Sequence, residues 1–339
     1  MKFGVVLLTQ HSSETYQERF LALLEQVRII RKLQFDSVWI PEMHFVEGVY
    51  YPAIATLGSV SSYCEGLVLG SCVLLLPLYN PFFIAETFAM LDIMTGGRVV
   101  LGVGLGDGIR DYEAYGVEFT QRSTRLEESI QLIRSLWKGE RVTHRGSHYS
   151  LTDVSLSIRP VQRPNPPIWI GGGHSEKALK RVAELGDAWI PGPFTPLRIL
   201  KTDFAKYEKY LTEVGRTIET IERPLRRELY VARNRDRARE RARFFLEKRL
   251  QDHIEWWQKS KSGRAFAERV QDVDLLDDAC IVGTPDDCIE RIETYRRDLG
   301  VNHMLLRMQF PSMSEQESLE VLELFGKAVL PYFANDRDI

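Results

Sequence analysis

The sequence predicts an α/β fold: a single (β/α)8 TIM barrel with insertions after its fourth and seventh strands. Three observations carry that prediction. Short apolar runs alternate with helix-period segments eight times along the chain. The apolar runs are continuous, as in parallel strands buried on both faces, and not alternating as in a half-exposed sheet. At 339 residues the chain suits one barrel with long loops, and no internal repeat or Gly/Ser/Pro-rich linker divides it, so 1–339 reads as one domain.

The elements follow in order. Residues 3–8 form the first strand, and 16–33 a helix with Phe20, Leu23, Leu24, Val27 and Ile30 at helical spacing. Residues 37–40 are the second strand and 53–63 its helix. Residues 67–75 are a long third strand, followed by a helix over 84–94. Residues 99–104 are the fourth strand, and 122–137 an amphipathic helix carrying Leu126, Ile130, Ile133 and Leu136. Residues 168–170, 188–190, 228–232 and 303–309 supply strands five to eight. Helices are expected at 176–185, 197–214 and 314–330. The fourth unit carries extra material at 142–157 that reads as a hairpin. The seventh carries 236–280, much longer than a crossover, and its Trp256 and Trp257 make it the expected lid.

Composition excludes several classes. Hydrophobic residues make up 44% and charged residues 27%, an ordinary globular balance. A net charge of -3 does not suit general nucleic-acid binding. No apolar run reaches the roughly 18 residues of a membrane helix, and MKFGVVLLTQ reads as a strand and not a signal peptide. Cys64, Cys72, Cys280 and Cys288 have no metal-ligand spacing and read as reduced thiols of a cytoplasmic protein. His144 and His148 flank Gly146 in the expected hairpin, and no third ligand accompanies them, so no metal site is expected. The arginine-rich segment 223–249 reads as a solvated helix with ion pairs, or as a docking surface for an acidic carrier.

In a barrel the strand C-termini form the functional rim. There the sequence places His11, Glu42-Met43-His44, GVGLGDG (102–108) and GGGHS (171–175). Glu42 and His44 read as a proton-handling pair, or as a loop carboxylate with a satisfied histidine. GGGHS reads equally as an anion-binding turn at a helix N-terminus and as a serine-capped strand-to-helix turn.

Together FDSVWIPEMHF, LPLYNPFFIAETFAMLDIMTGGRVVLGVGLG, PPIWIGGGHSEKALKRVAELGDAW and IVGTPDDCIERI resemble the bacterial luciferase-like family of flavin-dependent oxidoreductases, over nearly the whole chain. That resemblance implies a barrel, often dimeric, binding reduced FMN or a deazaflavin at the strand C-termini. It implies that Gly172, Gly173, His174 and Ser175 form the phosphate turn, with Arg125 near the phosphate. It implies that Cys72-Val73, a frequent non-proline cis peptide in the family, lies beneath the ring, with Gly104 and Leu105 also at the cofactor. Glu86 matches an acidic position on the third helix. The family's Glu-His-His becomes Glu42-Met43-His44 here, and the reactive cysteine of luciferase becomes Gly104.

The reading that follows is a two-component monooxygenase. Reduced FMN from a flavin reductase, with O2, would oxygenate an apolar substrate by Baeyer–Villiger insertion or hydroxylation. His44 and Glu42 would be catalytic, and Met43, His11 and Leu76 would line the substrate pocket, in a cytoplasmic homodimer. The alternatives are a deazaflavin-dependent dehydrogenase or reductase, and a non-catalytic flavin-binding subunit.

Overall fold

The computed structural model describes residues 1–8, 15–45, 50–257, 264, 267, 268, 270 and 274–334, without the side chains of 248–257. In chain order the strands are β1 (Lys2–Val6), β2 (Ser37–Ile40), β3 (Val68–Ser71), β4 (Val99–Val103), β5 (Val142–Arg145), β6 (Ser150–Val154), β7 (Ile168–Gly171), β8 (Ala188–Ile190), β9 (Pro224–Val231), β10 (Ile281–Gly283) and β11 (His303–Arg307). The helices are α1 (Tyr16–Lys32), α2 (Ala53–Ser61), α3 (Pro81–Met94), α4 (Ile109–Ala114), α5 (Arg122–Trp137), α6 (Glu176–Leu185), α7 (Leu197–Glu213), α8 (Arg235–Trp257), α9 (Leu275–Ala279), α10 (Pro285–Leu299), α11 (Glu315–Ala328) and α12 (Leu330–Ala334).

Nine strands form one sheet in the order β10-β9-β11-β1-β2-β3-β4-β7-β8, and the pairings are parallel. β8 packs against β9, so the sheet curls on itself, consistent with the barrel predicted from sequence. The apolar strands are buried along their length, as continuous runs require. Trp39 fills the space inside the curl. It stacks on Trp169 at 4.9 Å, and a Cβ at Gly4 or Gly70 would overlap its ring. Glycines in β1 and β3 therefore make room for one indole, a size match that holds the interior closed.

The helices begin where sequence signals place them. Thr15 and Thr284 each complete a capping box, on α1 and α10, and Pro81 and Pro285 occupy the first turn of α3 and α10.

Two expectations need correction. The eight expected strands lacked β10. Its three residues are too short to register alone, and they gain strand character from pairing with Leu229–Val231. The seventh strand was expected over 228–232, but β9 begins at Pro224. Arg226, Arg227 and Glu228 break the apolar run, yet Arg227 and Glu228 are fully buried. Arg227 donates to Tyr295 Oη, Pro193 O and Thr195 O at 3.1, 3.0 and 2.8 Å, which is how a charged residue survives inside a strand.

The material after β4 includes the β5–β6 hairpin, held by Glu128, which accepts from the His148 and Tyr149 N–H groups and lies 2.9 Å from His144 Nε2. His144 is thus a hairpin anchor, and no metal-binding cluster exists among the described residues. Of the expected lid over 236–280, α8 and α9 are described, while the Trp256 and Trp257 side chains and residues 258–263 lie outside the described residues. Arg235, Arg239 and Arg241 pair within the chain with Asp287, Asp277 and Glu317, as the ion-paired helix reading expects. All four cysteines are buried and unbridged, and burial pushes the Cys64 thiol up to about 12. No described helix is long and apolar enough to cross a membrane.

Candidate active site

β2 ends at Ile40, and the chain leaves the sheet at Pro41, so Glu42, Met43 and His44 fall on the C-terminal rim. Glu42 is buried. Its Oε2 accepts from Leu75 N–H at 2.5 Å, and its Oε1 accepts from the Tyr79 hydroxyl. His44 Nε2 lies 3.4 Å from Glu42 Oε1, within ion-pair reach but not aligned as a hydrogen bond. The Glu42 carboxylate lifts the His44 imidazole above its usual value, against the opposing effect of burial. Tyr115 packs 5.2 Å from His44 and 5.7 Å from Tyr79, which closes an aromatic wall around the pair. Met43 is half-buried beside them.

Two further carboxyls, Asp107 on the β4–α4 connection and Asp111 in the first turn of α4, belong to this rim, and the sequence reading singled out neither. Burial raises the Asp107 carboxyl, and Arg122 opposes that rise. Burial raises Asp111 too, and the charge of His44 offsets it in part. A perturbed carboxyl in a cleft is the signal that finds such a residue, and it needs coordinates.

The third-strand exit carries a non-proline cis peptide at Cys72-Val73. Val73 is wedged between two strands: a Cβ at Gly104 or at Gly171 would each come within 2.6 Å of its methyls. The glycines that end β4 and β7 are therefore places where backbone closes on Val73. Cys72 is buried, and Leu105 is half-buried. Leu76, expected in the pocket, is fully buried in the hydrophobic core. His11 lies outside the described residues.

Gly172 and Gly173 take φ of +82° and +72°, a region glycine enters without strain. A Cβ at Gly172 would meet nothing within 4 Å, so open space lies over the turn. The Gly172 N–H is spent on Ile190 O at 2.9 Å. The Gly173 and Ser175 N–H groups make no hydrogen bond among the described residues. Ser175 Oγ accepts from Ala178 N–H at 3.3 Å and caps α6. His174 turns inward, with Nδ1 2.8 Å from Asp203 Oδ2 and Nε2 3.2 Å from Thr195 Oγ1. Arg125 donates to Pro77 O at 3.0 Å and lies over the Tyr149 ring at 5.0 Å, which puts it on the β3 side of the rim.

Comparison with known proteins places this geometry. The luciferase-like monooxygenase family matches residues 1–303. An F420-dependent glucose-6-phosphate dehydrogenase of Amycolatopsis mediterranei (strain U-32) is 30% identical over 300 residues, covering 84% of this chain and 87% of that one. A protein of the same description from Microbacterium testaceum (strain StLB037) is 30% identical over 328 residues, covering 91% and 92%. The crystal structure of monooxygenase RslO1 from Streptomyces bottropensis superposes with a TM-score of 0.82 at 21% identity, covering 98% of this chain and 100% of that one, a likeness of fold.

These relatives overturn the expectation of an FMN-dependent monooxygenase. The two relatives at 30% identity over most of the chain are named for F420, a deazaflavin, and for dehydrogenation. FMN, O2 chemistry and the flavin reductase partner fall together. The motifs that carried the resemblance were compatible with reduced FMN and with a deazaflavin, so they did not separate the two. With a family match across most of its length, the chain belongs to the luciferase-like monooxygenase family, and is an oxidoreductase of that family.

Proposed function

We propose that this chain is a deazaflavin-dependent oxidoreductase that exchanges a hydride between coenzyme F420 and a small organic alcohol or its carbonyl partner. The observation that carries the reading is the 30% identity to F420-dependent dehydrogenases over 84% and 91% of the chain. Residues 1–339 are then one luciferase-like barrel domain with its site at the rim.

The residues present fit the coenzyme. Open space above Gly172, with the Gly173 and Ser175 N–H groups at the start of α6, suits a phosphate. Val73, Gly104 and Leu105 lie together at the exits of β3 and β4, where they would meet a flat ring. When bound, the deazaflavin supplies two-electron hydride chemistry. The chain supplies the proton handling. As the substrate C–H bond gives up its hydride, His44 Nδ1 takes the hydroxyl proton while Nε2–H faces Glu42 Oε1. Glu42, held by Leu75 N–H and Tyr79, keeps the imidazole oriented and stabilises the imidazolium that forms. Tyr79 stays protonated, because burial and the Glu42 charge hold its hydroxyl far above its ordinary value. Met43 and Tyr115 flank His44 on the substrate side.

The exposed Phe83, Met90, Ile93 and Met94 on α3 support a homodimer through that face.

The test is anaerobic incubation of the purified protein with oxidised F420 and a panel of sugar phosphates and simple alcohols, glucose 6-phosphate first. Substrate-dependent bleaching of the coenzyme's visible band is expected. Tight coenzyme binding with no bleaching by any substrate would point to the non-catalytic reading.

A further inference from the structure

We infer that Thr195, His174 and Asp203 form a buried positioning network that sets the Gly172–Ser175 turn for the phosphate of the coenzyme. The inference rests on the deazaflavin reading above. It goes beyond that reading by assigning work to three residues that do not face the rim.

The turn has little of its own to hold it. Gly172 and Gly173 are consecutive, both at positive φ, and neither has a side chain to pack. Such a dipeptide gives up more backbone freedom on ordering than any other pair. Its position must come from its neighbours. On one side Trp189 Nε1 donates to Gly172 O at 2.7 Å. On the other, His174 is gripped at both ring nitrogens. Nδ1 meets Asp203 Oδ2 at 2.8 Å, and Nε2 meets Thr195 Oγ1 at 3.2 Å. Thr195 is itself fixed, since its hydroxyl donates to Gly192 O at 3.0 Å. Asp203 lies on α7 and Thr195 in the β8–α7 connection, so the next βα unit holds the turn of the preceding one.

The chemistry of the grip is unusual for a purely structural contact. Asp203 and Thr195 are fully buried, and the His174 side chain is 15% exposed. A carboxylate with no exposure is costly, and an apolar pair would pack α6 against α7 without that penalty. What the apolar pair would lack is direction. A histidine held at both nitrogens fixes the ring plane, and with it the backbone of residue 174, next to the Ser175 cap of α6. The N–H groups of Gly173 and Ser175 are thereby aimed before any ligand arrives.

The test separates positioning from scaffold. Binding constants are measured, by quenching of ligand fluorescence, for two ligands: intact F420 and the deazaflavin nucleoside that lacks the phosphate. Proteins compared are wild type, His174→Phe, Asp203→Asn and Thr195→Val. His174→Phe is expected to weaken intact F420 about tenfold or more, on the scale of other outer-layer positioning contacts, and to leave the nucleoside unchanged. Asp203→Asn should follow it, and Thr195→Val should show a smaller loss of the same kind. Thr195→Val conserves side-chain volume and carries the test if the other two do not fold. Equal weakening of both ligands, or of neither, overturns the network's role. A wild-type protein that binds neither ligand overturns the coenzyme reading itself, and this inference with it.

Discussion

The sequence placed Glu42 and His44 on the rim, because an apolar strand stops at a proline and the chain then presents a carboxylate and an imidazole. The anchoring of the pair was not legible. The 3.4 Å approach depends on Leu75 N–H and Tyr79 anchoring Glu42, and these come from a segment more than thirty residues away. The coupling makes a pH prediction. Glu42 raises the His44 value, and only the neutral ring accepts a proton. Substrate oxidation should therefore rise with pH through a midpoint above the ordinary imidazole range. Glu42→Gln keeps an acceptor for Leu75 but removes the charge, so the midpoint of the kcat/KM profile should move to lower pH. A profile that stays in place would show that Glu42 does not tune His44. His44→Ala should lower kcat by about a hundredfold or more, with F420 affinity kept. Unchanged turnover would remove His44 from the chemistry.

At the scale of the element, the continuous apolar runs were enough to place most strands within a few residues. They failed where charge enters a buried strand, as at Arg226–Glu228 of β9, and where a strand is only three residues long, as at β10. Glycines were legible as a cluster and not as individuals. GGGHS read equally as an anion-binding turn and a capped turn, GVGLGDG was only placed on the rim, and several of these glycines answer to packing. A Cβ at Gly102 would sit on Ser71 O, a backbone atom that cannot move aside. One at Gly104 meets the end of a valine, which can give way. Gly102→Ala should thus destabilise the fold by about 3 kcal/mol, and Gly104→Ala by nearer 1 kcal/mol, in chemical denaturation. Equal effects would mean that the β3–β4 contact is looser than its geometry. The exposed stripe on α3 makes a prediction of the same scale. Met90→Lys should turn a dimer into a monomer in light scattering, and a wild-type protein already monomeric would discard that interface.

The whole molecule adds a constraint that no motif announced. At the N-terminal end of the curled sheet, His303 joins Ser37 at 2.8 Å and Glu222 at 3.0 Å, and Lys2 reaches the same Glu222 oxygen at 2.9 Å. Burial works to raise the Glu222 carboxyl, but His303 and Lys2 outweigh it and hold the group at about 2, against an ordinary 4.5. A lowered carboxyl stabilises the fold at pH above 4.5, and the contribution fades as pH falls from there towards about 2. It amounts to about 2 kcal/mol after allowance for the part of Glu222 that water reaches. Glu222→Gln should lose that much at neutral pH and show a flatter acid limb in unfolding. Equal acid sensitivity of the two proteins would place the stabilising charge elsewhere. The fold as a whole was readable because parallel strands bury both faces. The coenzyme was not, because the glycine-rich strand ends carry no side chain that separates FMN from a deazaflavin.

The central claim is that this rim takes a deazaflavin and passes a hydride to it. The direct measurement is an anaerobic titration of the purified protein with F420, followed by addition of glucose 6-phosphate and then other small alcohols. The account predicts saturable binding, loss of the coenzyme's visible absorbance with at least one substrate, and no dependence on oxygen. Failure to bind F420 at concentrations that saturate the F420-dependent dehydrogenases to which the chain is similar would contradict it.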